Sequence, residues 1–197
     1  MPKPDFSHVT KSNIVAFIAD IFARRGAEAY LGEPVTISAH MYQSAQLAEE
    51  AGASEEMIVA ALLHDIGHFT NEFPDNAAEL GIDSHHDRAG AAIVAPYFPK
   101  IVTDCVRHHV SAKRYLCAID QGYFDNLSEA SVLSLKLQGG PMTEKAAAKF
   151  AEIADADAIV QIRKWDDEAK IPGKKTKDFA HYAPMLERLV EKYGKGS

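Results

Sequence analysis

Apolar side chains recur at every third or fourth position along most of this chain, and glycine, proline or helix-capping residues interrupt them at short intervals. In the first such segment Ile14, Phe17, Ile18 and Ile21 follow this spacing, and Gly26 ends it. A period near 3.6 residues places such side chains on one face of an α-helix, whereas a strand requires alternation, which this sequence lacks. We therefore expect an all-α fold, a bundle of helices joined by short breaks.

Capping and breaking residues set the bounds of the predicted helices. Ser54 precedes an almost continuous apolar run, so it is expected to cap a helix that is buried on most sides. The segment 69–83 has no clear period and is predicted to be a loop, and a loop of this length is more often functional than not. The predicted helices span residues 12–26, 37–52, 54–63, 84–95, 100–109, 128–139, 143–170 with a break near residue 155, and about 178–193.

The overall charge excludes two classes of partner. The chain of 197 residues carries 21 Lys and Arg against 28 Asp and Glu, a net charge of −7. Such a surface repels nucleic acid and anionic membranes, so we expect neither. Cys105 and Cys117 are too few for a disulfide framework, and no apolar stretch resembles a signal peptide or a membrane span. We expect a cytoplasmic protein with a single domain over residues 1–197.

Histidine is unusually frequent, with nine residues, most of them between positions 40 and 109. His64 and Asp65 are adjacent in the segment ALLHDIGH at 61–68, where the buried third helix ends. A desolvated carboxylate is costly unless it is paired or bound to a metal. Since an isolated His-Asp pair is also typical of a helix cap or a surface pair, the neighbouring helices decide between these interpretations.

Three further histidines are predicted at the ends or inner faces of other helices. His40 shares the apolar face of the second helix, His86 begins the fourth and His109 ends the fifth. Imidazole and carboxylate groups that converge in a bundle core are typical of a metal site. One ion rarely uses so many protein ligands, which favours two ions. Asp65 is the natural bridge between them, because a carboxylate has two oxygens.

A further carboxylate is expected from the C-terminal half of the chain. Asp166 is the candidate, and Asp155 and Asp157 compete with it on residue type alone. His85 and His108 each adjoin a proposed ligand, but adjacent helical residues point about 100° apart, so only one member of each pair faces the metals.

His40, the His64-Asp65 pair and a late aspartate form the H…HD…D signature of the HD-domain superfamily, and His86 and His109 match its two-metal subgroup. The chain further resembles the HD-domain mixed-valent diiron oxygenases that cleave carbon–phosphorus bonds. The matching segments lie in the same order and at nearly the same spacing: AYLGE at 29–33, HVSAKRYL at 109–116, NLSEAS at 126–131, QGGPM at 138–142 and IRKWD at 162–166. The resemblance implies an HD-domain helical bundle with a dinuclear metal site in its core, at about residues 29–170.

This resemblance also implies the metals and their ligands. The cofactor would be two iron ions in a mixed Fe(II)/Fe(III) state, with O2 as co-substrate. The first iron would take His40, His64, Asp65 and Asp166, and the second would take Asp65, His86 and His109. Asp166 is thereby preferred to its two competitors.

By the same resemblance Tyr30 and Glu33 are a gating pair. Tyr30 would occupy an iron position in the resting site and leave when the amine of the substrate engages Glu33. Without the resemblance, a packed tyrosine and a solvated glutamate would be the simpler interpretation. His68 would contact the substrate or its hydroxyl group, or else support the ligands from behind.

Three residues are expected to bind the phosphonate, since an acidic protein must supply cationic or N–H donors locally. The resemblance makes Lys113 the phosphonate contact and places Ser131 and Gln138 behind it. Arg114 is expected to be a surface or structural residue.

The preferred substrate is (R)-1-hydroxy-2-(trimethylamino)ethylphosphonate, which would give phosphate and glycine betaine. The loop at 68–76 supplies Phe69, Glu72, Phe73 and Asp75 as a pocket for a quaternary ammonium, although these aromatic rings would equally suit packing. The alternative substrate is 2-amino-1-hydroxyethylphosphonate, which would give glycine. In other classes, the chain would be a metal-dependent phosphohydrolase or a non-catalytic HD scaffold. The complete ligand set, the gating pair and QGGPM favour the oxygenase.

Overall fold

The computed structural model describes residues 6–30, 32–69 and 85–195, and these residues are predominantly helical. Their one extended pairing is an isolated antiparallel bridge between Ala29 and Thr36, so the all-α prediction is confirmed. The helices are α1 Ile14–Arg25, α2 Ile37–Glu50, α3 Glu55–Leu63, α4 His86–Val94, α5 Lys100–Ile119, α6 Gln121–Asp125, α7 Glu129–Leu137, α8 Glu144–Ala151, α9 Ala156–Glu168 and α10 Phe179–Tyr193, with a 3₁₀ turn at Ile66–Phe69.

Helix α5 lies at the centre of the bundle, where it packs against α3, α4 and α9. Helix α2 packs against α3 and α9, and α10 contacts α1 and α3. Met41, Leu62, Val106 and Ile162 come from four of these helices and are almost completely buried. Each such side chain stabilises the fold by about 1.5–3 kcal/mol. Buried apolar side chains therefore surround the space between α2, α3, α5 and α9.

Several helix starts lie where the capping residues predicted them. The hydroxyl of Ser54 accepts a hydrogen bond from the backbone N–H of Met57 at 3.4 Å, and that of Thr143 accepts from Ala146 at 3.3 Å. Such caps satisfy N–H groups that have no partner within the helix. Helix α1, predicted to start at residue 12, begins at Ile14, and Asn13 occupies the N-cap position.

The predicted end of the fifth helix at His109 is wrong, because α5 continues to Ile119. Lys113, Leu116 and Cys117 extend the buried stripe of this helix past His109. A lysine in the stripe made the apolar period seem to end. In the described chain Lys113 is only 2% exposed. Because Lys113 is buried, the helix continues past a position at which a lysine usually indicates exposure to solvent.

Other boundaries differ in smaller ways. The predicted break near residue 155 is confirmed, since α8 ends at Ala151 and α9 begins at Ala156. Helix α6 was not predicted, although Asp120 caps it by accepting from the N–H of Tyr123 at 3.1 Å.

Phe69 ends the 3₁₀ turn, and its fully buried ring packs edge-on against Phe22 at 5.4 Å. Phe69 is thus a core residue. Glu72, Phe73 and Asp75 lie outside the described residues.

Gly67 lets the 3₁₀ turn approach α4 closely. A Cβ atom at this position would overlap the carbonyl oxygen of His86 and lie 2.8 Å from the backbone nitrogen of Gly90. The φ angle of Gly67 is not positive, so close approach and not an unusual turn explains the glycine. The contact holds the start of α4, and with it His86, beside the HD pair.

Among the described helices, none combines the length and the apolar character that crossing a membrane requires. The longest, α5, spans 20 residues and includes several charged side chains.

Candidate metal centre

The carboxylate of Asp65 lies between two pairs of histidines. Its Oδ2 atom is 3.5 Å from Nε2 of both His40 and His64. Its Oδ1 atom is 3.3 Å from Nε2 of His86 and 3.2 Å from Nε2 of His109. Asp65 is 1% exposed. Each oxygen of one buried carboxylate therefore faces its own histidine pair.

Backbone hydrogen bonds fix which ring nitrogen points inward. Nδ1 of His64 and Nδ1 of His109 each lie 2.8 Å from the carbonyl oxygen three residues earlier, and Nδ1 of His40 lies 3.0 Å from that of Ala169. A carbonyl only accepts, so each Nδ1 carries the hydrogen and a neutral ring presents a lone pair at Nε2. Histidines that bind metals are held in this way.

Within each pair the two Nε2 atoms are 3.0 Å apart. For His40 and His64 two lone pairs would then face each other, which requires a proton or a cation between them. Burial disfavours a charge on His40, but Asp166 and Asp65 outweigh it and raise the pKa of His40 to about 9. In the metal-free protein a proton on His40 therefore takes the role of the cation.

Carboxylate oxygens of the centre also lack hydrogen-bond donors among the described residues. Both oxygens of Asp65 and Oδ1 of Asp166 are buried and accept no hydrogen bond from the described residues. Burial raises the pKa of each carboxyl group, but the imidazoles around Asp65 and the guanidinium of Arg163 beside Asp166 hold both pKa values well below the usual range. Buried anionic oxygens without donors, opposite inward-facing imidazoles, fit a transition-metal site.

Asp166 reaches the centre from α9, on the side of His40. Its Oδ1 atom is 3.4 Å from Nε2 of His40. Its Oδ2 atom is held by the guanidinium of Arg163 at 2.8 Å. Asp155 and Asp157 lie at the opposite end of α9, about 15 Å along the helix at 1.5 Å per residue. Of the three competing aspartates, only Asp166 lies among the histidines.

His68 occupies the other side of the centre. Its Nε2 atom is 3.8 Å from Oδ1 of Asp65, and its ring stacks on His86 with centroids 4.1 Å apart. Asp65, His68 and His86 thus form a second possible ligand group beside that of His40, His64 and Asp65. His109 approaches the same oxygen more closely, at 3.2 Å. His85, by contrast, occupies the N-cap position of α4 with a positive φ of 47° and is exposed.

The segment between α1 and α2 holds Tyr30 and Glu33, and it places Tyr30 beside the centre. Hydrogen bonds from Tyr30 N–H to the carbonyl of Val35 and from Glu33 N–H to the carbonyl of Tyr30 fold it into a tight turn. The ring of Tyr30 stacks on His40 with centroids 4.2 Å apart. Burial, followed by the carboxylates of Asp65 and Asp166, raises the pKa of Tyr30 well above its usual value. The phenol therefore remains protonated in the metal-free protein.

The three residues expected to bind phosphonate lie around α7. Lys113 donates to Ser134 Oγ at 2.7 Å, and Ser131 is 5% exposed. The amide oxygen of Gln138 is buried and accepts no hydrogen bond from the described residues. Arg114 donates to the carbonyl of Gly140 at 2.8 Å, which fits the expected structural role.

Three functional candidates were missed by the sequence reasoning. Arg163 binds Asp166 and Asp167, Lys170 contacts Glu33 at 3.0 Å, and Ser134 accepts from Lys113. The spacing of Arg163 to its two aspartates, three and four residues, was the available signal, because such positions are neighbours on a helix. Nothing in the sequence pattern indicated Lys170.

Metal binding by this centre is expected to strengthen as the pH rises toward 9. A metal must displace the proton of His40, whose pKa is raised to about 9, so protons compete below that value. Each displaced proton contributes about tenfold in affinity per pH unit. Competition with a coloured chelator, using Mn²⁺ under argon, measures this slope. The variant His40→Gln should have a lower slope, and a wild-type affinity independent of pH would contradict the assignment.

Comparison with known proteins places this geometry in a family. The HD domain model matches residues 37–158, more than half of the chain. The chain is 51% identical, over 98% of both proteins, to the [1-hydroxy-2-(trimethylamino)ethyl]phosphonate dioxygenase (glycine-betaine-forming) of Leisingera caerulea. It is 42% identical to the hydroxymethylphosphonate dioxygenase of Gimesia maris, over 83% of this chain and 82% of the relative. An uncharacterized protein of Acanthamoeba polyphaga mimivirus is 34% identical over 88% of this chain and 81% of its own length. The chain therefore belongs to the HD-domain family.

Proposed function

We propose that this protein is a non-haem diiron oxygenase that uses O2 to cleave the C–P bond of a 1-hydroxy-2-ammonioethylphosphonate. The preferred substrate is (R)-1-hydroxy-2-(trimethylamino)ethylphosphonate, and the products are phosphate and glycine betaine. The observation that carries the proposal is Asp65, whose two oxygens each face a separate histidine pair. The name of the relative that is 51% identical supports the choice of substrate.

The overall reaction balances with one O2 per substrate. The C1–H and C1–P bonds break, C1 becomes a carboxylate carbon, and phosphorus leaves as phosphate. The substrate loses four electrons and O2 accepts them, so the two atoms of O2 equal the two oxygens that the products gain. Two bound iron ions in a mixed Fe(II)/Fe(III) state would supply the electron exchange with O2, for which protein side chains are unsuited.

The proposed ligands divide into two sets around the shared carboxylate. Asp65 belongs to both sets, because it is the residue within reach of both histidine pairs. Asp166 and the four imidazoles would complete the two sets and give the first ion four protein ligands and the second three. The substrate would then bind at the second ion. The sets are His40, His64, Asp65 and Asp166 for the first iron, and Asp65, His86 and His109 for the second.

Tyr30, Glu33 and His68 surround the reacting carbon in this proposal. Tyr30 covers the centre by stacking on His40 and departs when the ammonium of the substrate engages Glu33. Burial, with a contribution from neighbouring imidazoles, lowers the pKa of His68. A neutral His68 beside Asp65 is able to accept a hydrogen bond from the C1 hydroxyl and so orient the substrate.

Lys113, Ser131 and Gln138 bind the phosphonate end. Burial, followed by the charge of Arg163, lowers the pKa of Lys113 to about 7. Lys113 is therefore readily neutralised when no anion is near, and a phosphonate dianion restores its charge. Ser131 and Gln138 add a hydroxyl and an amide beside it.

We expect kcat/KM for the phosphonate to fall above about pH 7. The pKa of Lys113 is about 7, so rising pH removes the charge that the phosphonate requires, at up to tenfold per pH unit. A Lys113→Arg variant keeps its charge throughout this range. Steady-state rates of both proteins across pH measure the difference. A fall of equal size in the arginine variant would assign the pH dependence to another group.

Phosphate release under air and under argon tests the proposed function. Iron-loaded protein is incubated with the trimethylammonium substrate, with 2-amino-1-hydroxyethylphosphonate and with a phosphomonoester. We expect phosphate and glycine betaine from the first, only under air. Faster release of glycine from 2-amino-1-hydroxyethylphosphonate would show that this compound is the preferred substrate. Equal release without oxygen, or turnover of the phosphomonoester alone, would make the protein a hydrolase.

A further inference from the structure

Lys170 is a partly buried cation beside the proposed substrate, and the proposed reaction gives it no role. Its Nζ atom lies 3.0 Å from Glu33 Oε1 and donates to Ser131 Oγ at 3.0 Å. The side chains of Lys170 and Glu33 are 12% and 9% exposed. The ammonium of Lys170 therefore contacts two groups of the proposed site. One is the carboxylate of Glu33, which is proposed to bind the substrate amine, and the other is the hydroxyl of Ser131, which is proposed to bind the phosphonate.

A second hydrogen bond holds Glu33 in place while it pairs with Lys170. Ser128 donates to the same oxygen, Oε1, at 2.6 Å. An ammonium and a hydroxyl therefore already satisfy Glu33 before any substrate is present. A trimethylammonium group, which has no N–H donor, has to compete with both.

Lys170 and Lys113 rest on the same face of α7. Lys170 donates to Ser131, and Lys113 donates to Ser134, one helical turn later. The hydroxyl of Ser134 in turn lies 3.1 Å from the carbonyl oxygen of Ser131 and donates to it. Two ammonium groups on adjacent turns offer a phosphonate dianion two positive charges, where Lys113 alone offers one.

We propose that Lys170 is a specificity-determining residue that exchanges partners when the substrate binds; this inference rests on the proposed function. In the resting protein its ammonium pairs with Glu33. The substrate carries an ammonium at one end and a phosphonate at the other. Its ammonium replaces Lys170 on Glu33, and its phosphonate receives the released Lys170 beside Lys113. One buried ion pair becomes two, and no charge is left without a partner.

The exchange makes the two charged ends of the substrate depend on each other. A ligand with only a phosphonate draws Lys170 away and leaves Glu33 buried without a cation. A ligand with only an ammonium displaces Lys170 from Glu33 and leaves that lysine only the more distant carboxylate of Asp167, 4.0 Å away. Buried charges without partners are strongly unfavourable. The site therefore selects ligands that carry both charges at the right separation.

Binding of two half-ligands under argon tests this exchange. Hydroxymethylphosphonate carries only the anion and choline carries only the quaternary ammonium, and calorimetry on the iron-loaded protein gives each Kd. We expect Lys170→Met to raise the Kd of hydroxymethylphosphonate and to lower the Kd of choline, each by about tenfold or more. Lys164→Met, on the exposed face of α9, is the matched control and should change neither.

Glu33→Gln supplies the reciprocal measurement. It releases Lys170, so hydroxymethylphosphonate should bind more tightly, and this gain should be absent when Lys170→Met is also present. Lys170→Arg keeps the charge and should keep the weak binding of choline. Changes of the same sign for both half-ligands in Lys170→Met would overturn the exchange while leaving the proposed function intact. Failure of wild-type protein to bind the complete substrate would overturn both.

Discussion

Replacing Asp65 with asparagine is expected to disrupt both halves of the metal centre and to lower kcat/KM by more than about 100-fold, the upper end for changes that merely support a ligand. Each oxygen of Asp65 faces one histidine pair. An asparagine amide offers a single oxygen, and its NH2 group would point at the other pair. Metal analysis of the purified protein should find one ion per chain or fewer, and phosphate release should fall accordingly.

Two matched variants separate this effect from a general loss of acidic charge. Asp166→Asn removes a proposed ligand on the His40 side only, so metal binding by His86 and His109 should be spared. Asp157→Asn alters an exposed aspartate in the first turn of α9 and should leave metal content and activity unchanged. If Asp65→Asn retained two ions and wild-type activity, Asp65 would not be the bridge.

Replacing Arg163 with methionine is expected to lower the free energy of unfolding of the metal-free protein by about 3–5 kcal/mol. The guanidinium is 4% exposed and pairs with the buried carboxylate of Asp166 at 2.8 Å. It also donates to Asp167 at 2.9 Å and to the hydroxyl of Tyr123 at 3.1 Å. Without Arg163 these carboxylates lose their buried partner. Calorimetry should show Tm lower by roughly 6–20 °C for a chain of this size.

The metal state provides an internal control for this second prediction. Bound ions would compensate Asp166, so metal loading should recover part of the lost stability in Arg163→Met. Lys164→Met, next to it on α9 but exposed, should change Tm by little in either state. Equal Tm values for Arg163→Met and wild type without metal would show that the buried pair does not stabilise the fold.

Local chemistry explains why much of the fold was predictable. Ser54, Thr143 and the periodic apolar residues determine helix starts through interactions within a few positions, and these are visible in the sequence. The end of α5 was mispredicted because burial of Lys113 depends on Ser134, a residue in another helix. The glycine at position 67 is explained by its close approach to α4, a tertiary contact that local sequence patterns do not show.

The same distinction applies to the site. Residue type and family resemblance named the histidines and aspartates that the structure brings together. They could not tell which oxygen of Asp65 faces which pair, because that depends on how α2, α3, α4 and α5 pack. Arg163, in α9, and Lys170, just after its end, were missed because a lysine or arginine in a charged segment is usually solvated. Their burial against Glu33 and Asp166 becomes visible only in three dimensions.

Oxygen consumption measured together with phosphate release tests the central claim most directly. Iron-loaded protein is mixed with (R)-1-hydroxy-2-(trimethylamino)ethylphosphonate in a closed oxygen-electrode cell, and phosphate is determined in samples taken during the reaction. The balanced reaction requires one O2 for each phosphate, with glycine betaine in equal amount, and Asp65→Asn should abolish both signals together. Phosphate released without oxygen consumption would contradict the proposed oxygenase.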